Sequence, residues 1–205
     1  LRTERALGHA YGGNDPDECR LDRVCAARRP PPLAPEAVAA ALRGGSKKFT
    51  NAADVEVVAE LYRSYFEGVA STATHLAFAQ LQWGDAKATA VAAVLPRYAR
   101  VTVLDLSGNR IGPVGAAALA PAIGVAGSLT SVSLIGNKFD AETALMLLKI
   151  KEEKPRLRTL CGLTHEEMEL DYKYKGLSLA DAMLLAPEIS AMASLTELDA
   201  RGNGM

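Results

Sequence analysis

Cys161 and His165 stand four residues apart, close enough for a thiolate and an imidazole to share a zinc ion. A structural zinc site needs four ligands, and no second pair lies near them. A strand-surface thiol and a loop histidine are the expected roles. Asn14, Asp15, Asp17 and Glu18 offer oxygens for calcium, but Pro16 interrupts them and the calcium-loop spacing fails. A solvated acidic loop is expected there. Gly44-Gly45-Ser46-Lys47-Lys48 has phosphate-loop residue types without the G-x-x-x-x-G-K-[ST] spacing. No serine sits in a G-x-S-x-G turn. No catalytic, cofactor or metal residue is assigned, and the chain is read as a non-enzyme.

Two other sets of residues could act on a partner. Arg29-Pro30-Pro31-Pro32-Leu33-Ala34-Pro35 matches a basic-x-x-P-x-x-P ligand for aromatic grooves. A stiff connector is the plainer reading. Further on, E-L-D-Y-K (169–173) and E-L-D-A-R (197–201) are near copies. On a strand, alternation aims Glu169, Asp171 and Lys173 to one side, and Glu197, Asp199 and Arg201 likewise. With Asp105, these are the candidate partner-binding residues. Either they await a basic partner, or Lys173 and Arg201 screen the acids on a solvated face.

The elements that carry these residues repeat. VTVLDLSGNRIG from Val101 overlays LTSVSLIGNKFD from Leu129 at a shift of 28. Leu104 falls on Val132, Leu106 on Leu134, Gly108 on Gly136, Asn109 on Asn137 and Ile111 on Phe139. Shifted backwards, Leu76, Phe78, Trp83 and Gly84 take those places, with Leu81 where asparagine is expected. After Pro155 the period breaks. A ten-residue stub (157–166) precedes a further unit (167–194) with Leu170, Tyr172, Lys175 and Leu177 at the key places. LTELDARGN from Leu195 restores Leu198, Ala200 and Asn203. Each unit opens with alternating residues, a strand signal, and continues with an Ala- and Leu-rich helical stretch.

The pattern L-x-x-L-x-L-x-x-N-x-I resembles the leucine-rich repeat, and the 28-residue period with a helical second half resembles its ribonuclease-inhibitor-like class. The stub and the following E-L-D-Y unit are also similar to long leucine-rich-repeat proteins of unicellular algae, a likeness that implies no activity. The resemblance implies an α/β fold: a right-handed solenoid with a parallel concave sheet and convex helices. Asn109, Asn137 and Asn203 fall at one repeat position and could form a polar binding ladder; the resemblance implies the structural role, bonding backbone groups at the bend after each strand.

Strands are expected over 76–78, 103–106, 131–134, 158–161, 169–172 and 196–199. Leu104, Leu106, Val132, Leu134, Leu160, Leu170 and Leu198 should be buried. Asp140, and Ser178 with Asp181, should cap helices, and Pro121 and Pro187 should kink or restart theirs. Three regions follow: an irregular arm with a short helix (1–50), an N-terminal capping helix (51–72) and the repeats (73–205). In the capping helix Asn51 supplies the cap and Gly68 the end. Val55, Val58, Ala59, Tyr62, Tyr65 and Phe66 form its apolar face, with Val55, Val58, Tyr62 and Phe66 packing near Leu76, Phe78 and Trp83.

A net charge of -1 leaves no basic excess for nucleic acid. No run of 18 apolar residues exists to insert in a membrane, and no signal segment is visible. Three cysteines, Cys19, Cys25 and Cys161, do not make a disulfide framework. An intracellular site, cytoplasmic or organellar, is expected. The partner is expected to be another protein. The last unit has a strand and the Asn203 turn but no helix, so a neighbouring chain or further repeats are expected at that end. The alternative role is a structural accessory subunit of a large assembly, organellar ones included.

Overall fold

The computed structural model describes residues 29–45, 49, 51 and 53–204. The acidic loop around Asp15, Ser46 to Lys48, Cys19 and Cys25 lie outside the described residues.

Two helices, α1 (Pro35–Arg43) and α2 (Asp54–Thr72), precede a mixed α/β body. The body runs β1 (His75–Ala77), α3 (Asp85–Val94) with a 3-10 turn (Leu95–Arg97), β2 (Val103–Asp105), α4 (Pro113–Val125), β3 (Ser131–Ser133) and α5 (Ala141–Glu153). After the stub come β4 (Glu169–Asp171), α6 (Leu179–Ser190) and β5 (Glu197–Asp199). Each of the four body helices starts ten residues after the start of its strand.

All named strands pair in parallel. Leu76 lies beside Leu104 and Leu104 beside Val132, the 28-residue shift made physical. The strands form two sheets, β1-β2-β3 and β4-β5. The expected strand over 158–161 is absent as a regular element. Only two isolated bridges mark it, parallel at Ser131–Thr159 and antiparallel at Ser133–Cys161. The stub is too short to supply a helix, so its strand cannot be held square to its neighbour.

The strand leucines point into the core. Leu104, Leu106, Val132, Leu134 and Leu160 are at most 1% exposed, and Leu170 is buried. Leu198 departs from expectation at 44% exposed, because no described helix covers its side of β5. Five residues after each strand start the backbone turns left-handed, at Gln80, Gly108, Gly136, Tyr174 and Gly202. Glycine adopts that conformation without strain; at Gly202 a side chain would also strike the Tyr174 ring.

Beside this turn the asparagines do structural work. The Asn109 Oδ1 accepts from Leu81 and Trp83 N–H, and its Nδ2 donates to the Phe78 and Leu106 carbonyls. Asn137 and Asn203 repeat the arrangement on Ile111 and Leu177. Each asparagine thus ties its own bend to the unit before it. Asp140 caps α5 by accepting from Thr143 N–H at 2.8 Å, and Ser178 with Asp181 forms a complete capping box on α6. The N-terminus of α4 takes its cap from the preceding unit: Asp85 Oδ1 accepts from Gly112 (2.6 Å) and Gly115 (3.0 Å). Pro121 and Pro187 do not restart their helices, which run on to Val125 and Ser190.

The helix α2 continues past Gly68 to Thr72, and Asn51 stands outside its first turn, accepting from Ala53 N–H. Ala59, Phe66 and Ala70 are its buried residues. Phe66 shares the core with Leu76, Phe78 and Trp83 and meets the Tyr98 ring edge-on at 5.7 Å. Val58 and Tyr65 are exposed instead. The connector is packed: Trp83 Nε1 donates to the Arg29 carbonyl (3.0 Å), and Tyr62 exchanges hydrogen bonds with the Leu33 backbone.

Candidate interaction surface and the carboxylates behind it

Strand alternation places the charged rows as expected. On β4 and β5 the central leucine faces inward while Glu169, Asp171, Glu197 and Asp199 flank it on the other face. Glu169 lies beside Glu197 and Asp171 beside Asp199 in register. The row extends beyond the strands, where Tyr174 N–H donates to the Arg201 carbonyl. Asp105 occupies the same repeat position as Asp171 and Asp199 but belongs to the other sheet. Six of the seven candidate residues are therefore brought together, and Asp105 stands apart.

Within the rows the aspartates and glutamates differ. Asp105 Oδ1 accepts from Ser107, Asp171 Oδ1 from Lys173 N–H, and Asp199 Oδ1 from Arg201 N–H. Each aspartate closes the turn that follows its strand. Asp199 also holds the Arg201 guanidinium at 2.6 Å. That side-chain contact, followed by the Arg201 backbone hydrogen bond, keeps the Asp199 carboxyl well below its usual range. Lys173 lies 5.4 Å from the centre of the Tyr174 ring. Glu169 and Glu197 accept no hydrogen bond from the described residues, though the Glu197 charge lies close enough to act on Arg201.

Behind this face lies an arrangement that the sequence reading did not anticipate. Val132 N–H, one residue into β3, donates to the Thr159 carbonyl at 3.0 Å. Leu160 holds the same place 28 residues on, and its N–H donates to the side chain of Glu188 at 2.6 Å. The carboxylate occupies the acceptor position that a next strand's carbonyl would fill. Lys151 Nζ pairs with that same oxygen, Oε1, at 2.8 Å, and the other oxygen, Oε2, accepts from Thr159 Oγ1 at 2.6 Å. The His165 Nε2 stands 3.7 Å away. One turn pair earlier on the same helix, Asp181 Oδ1 accepts from Gly136 N–H at 2.7 Å. The helix α6 thus reaches back to the turn after β3 and to the stub through two buried carboxylates, each 1% exposed.

A signal for this pair was present. Asp181 and Glu188 are seven residues apart, so they share a helix face with the buried Ala180, Leu184 and Leu185. Two acids on an apolar face require buried partners. Cys161 is buried beside this cluster, and burial followed by the nearby Glu188 charge pushes its thiol far up. Burial likewise pushes Tyr172 up to about 12. Among the described residues no group of three or more His, Cys, Asp or Glu could hold a metal ion. No described helix is long and apolar enough to cross a membrane.

The family model of the leucine-rich repeat matches residues 101–120, the segment that carries β2, the Asn109 bend and the first half of α4. This match supports a leucine-rich-repeat protein and suggests a protein partner. No curated protein matches the chain.

Proposed function

We propose that the chain is a non-catalytic protein-interaction scaffold: a leucine-rich-repeat solenoid of the ribonuclease-inhibitor-like class that binds a protein partner through its concave charged rows. The observation that carries this reading is the in-register pair Glu169–Glu197, two carboxylates side by side without a hydrogen-bond partner among the described residues. Like charges on adjacent strands cost stability. A basic partner segment would relieve that cost, with Lys173 and Arg201 limiting where along the row it settles. The test is cross-linking of the native complex followed by mapping of the linked residues. Links concentrated on 169–173 and 197–201 support the scaffold reading.

A second reading, a structural accessory subunit of a larger assembly, organellar ones included, draws on the end of the molecule. Tyr172, Leu177, Leu185, Ile189 and Leu198 line an apolar hollow of about 320 Å³ beside β5. Links concentrated there and on the convex helices, with the charged rows untouched, would favour that reading. Substrate turnover by the chain would overturn both.

A further inference from the structure

The helix α4 carries no polar side chain along its 13 residues. A helix that is apolar all round is ordinarily buried all round. Here one side alone is covered. Leu119, Ala120 and Ile123 lie in the core, while Val114, Ala117, Pro121 and Val125 are exposed, Val114 at 70% and Val125 at 69%. Spaced three and four residues apart, these four form a single row along the outer side of the helix. The helices α3 and α5 pack on either side of α4 and widen the face. At a shift of 28 residues, their own exposed rows hold Ala86, Ala93 and Arg97 before α4, and Leu145, Lys149 and Glu153 after it. Three helices ~20 Å long and ~10 Å apart present roughly 600 Å², near the about 800 Å² per partner that a stable interface buries.

The charges beside the α4 row select what covers it. Arg97 and Glu153 hold the same repeat position, two shifts of 28 residues apart. A two-fold axis along α4 sets α4 on its own copy and α3 of one chain against α5 of the other. Arg97 then meets the partner's Glu153, and the contact occurs twice. An axis across α4 would instead set Glu142 against the partner's Glu153, a like-charge pair that costs affinity. Within one chain Arg97 pairs with Glu36 and Glu153 with Lys149, all four side chains being well exposed. Exposed pairs of this kind hold their partners weakly.

We propose that the outer face of α4 docks a second copy of this chain, α4 parallel to α4, with Arg97 of each copy opposite Glu153 of the other. The contact lies on the helix side of the sheets, so the charged rows of β4 and β5 stay open in both copies. The test is the mass of the full chain over a concentration series, read by sedimentation equilibrium. The native chain should pass from monomer to dimer. Ala117→Glu buries an unpaired charge at the centre of the face and should raise the dissociation constant at least about tenfold, with the circular dichroism unchanged. If that variant fails to fold, Val125→Glu at the helix end gives the same reading. Arg97→Glu and Glu153→Arg should each weaken the dimer, and the two together should restore most of it. A native chain still monomeric at about 100 μM, above the micromolar limit for such a face, would overturn the proposal. A dimer that the α4 substitutions leave intact, or a charge exchange that restores nothing, would overturn it equally.

Discussion

The β1-β2-β3 half and the β4-β5 half are built from the same unit but joined by different means. Within the first half, each strand is fixed by the next strand's carbonyls, and its leucines are shielded by helices on both sides. Across the break after β3, a ten-residue stub replaces a unit, and the Glu188 carboxylate stands in for a strand carbonyl on Leu160. A repeat stack can absorb a missing element if a buried side chain supplies the lost acceptor. It also carries a cost, since a buried carboxylate needs its own partners in Lys151 and Thr159.

The largest effect should follow from breaking the join itself. Glu188→Ala leaves Leu160 N–H without its acceptor, deprives the Thr159 hydroxyl of the group it donates to, and strands the partly buried Lys151. A loss of ~3–5 kcal/mol is expected, read by denaturant unfolding. Glu188→Gln should retain part of it. A Glu188→Ala loss below about 1 kcal/mol would show that the stub holds without the carboxylate. Next comes the contrast between the halves. Leu106→Ala removes a fully buried side chain and should cost ~2–5 kcal/mol. Leu198→Ala, on a strand covered from one side, should cost about 1 kcal/mol or less. Equal losses would mean that β5 is buried in solution as deeply as β2.

A smaller effect distinguishes the helix caps. Hydrogen bonds from the Thr143 hydroxyl and N–H hold the Asp140 carboxyl below its ordinary value of 3.8. A lowered folded value means that its stabilisation is complete above about pH 4 and fades only as pH falls through the lowered value. Asp140→Ala should therefore lower the Tm slightly at pH 7, and the gap between native and variant should close in strong acid. A gap that is unchanged at low pH would show that the carboxylate charge plays no part in the cap.

Much of the first half was legible from residue spacing, because Leu104, Leu106, Gly108 and Asn109 recur 28 residues on and the register follows that shift. The β4-β5 rows were legible for the same reason. The join was not, because Glu188 acts on Leu160 from a different unit, and no local pattern records which backbone group lacks an acceptor. The exposure of Leu198 was hidden for the converse reason: its residue type matches the buried positions, and burial depends on neighbours beyond the strand. Val58 and Tyr65 misled similarly, since a helical apolar spacing shows which residues share a face but not how much of that face is covered.

The reading of the charged rows as the binding surface is tested most directly by charge reversal. Glu169→Lys with Glu197→Lys leaves the aspartate turns and the buried leucines intact. Affinity for the cross-linked partner should be compared between native and variant chains across a salt series. The account predicts a loss of at least about tenfold at low salt, with a gap that narrows as salt rises. Equal affinity and equal salt dependence for both chains would contradict it.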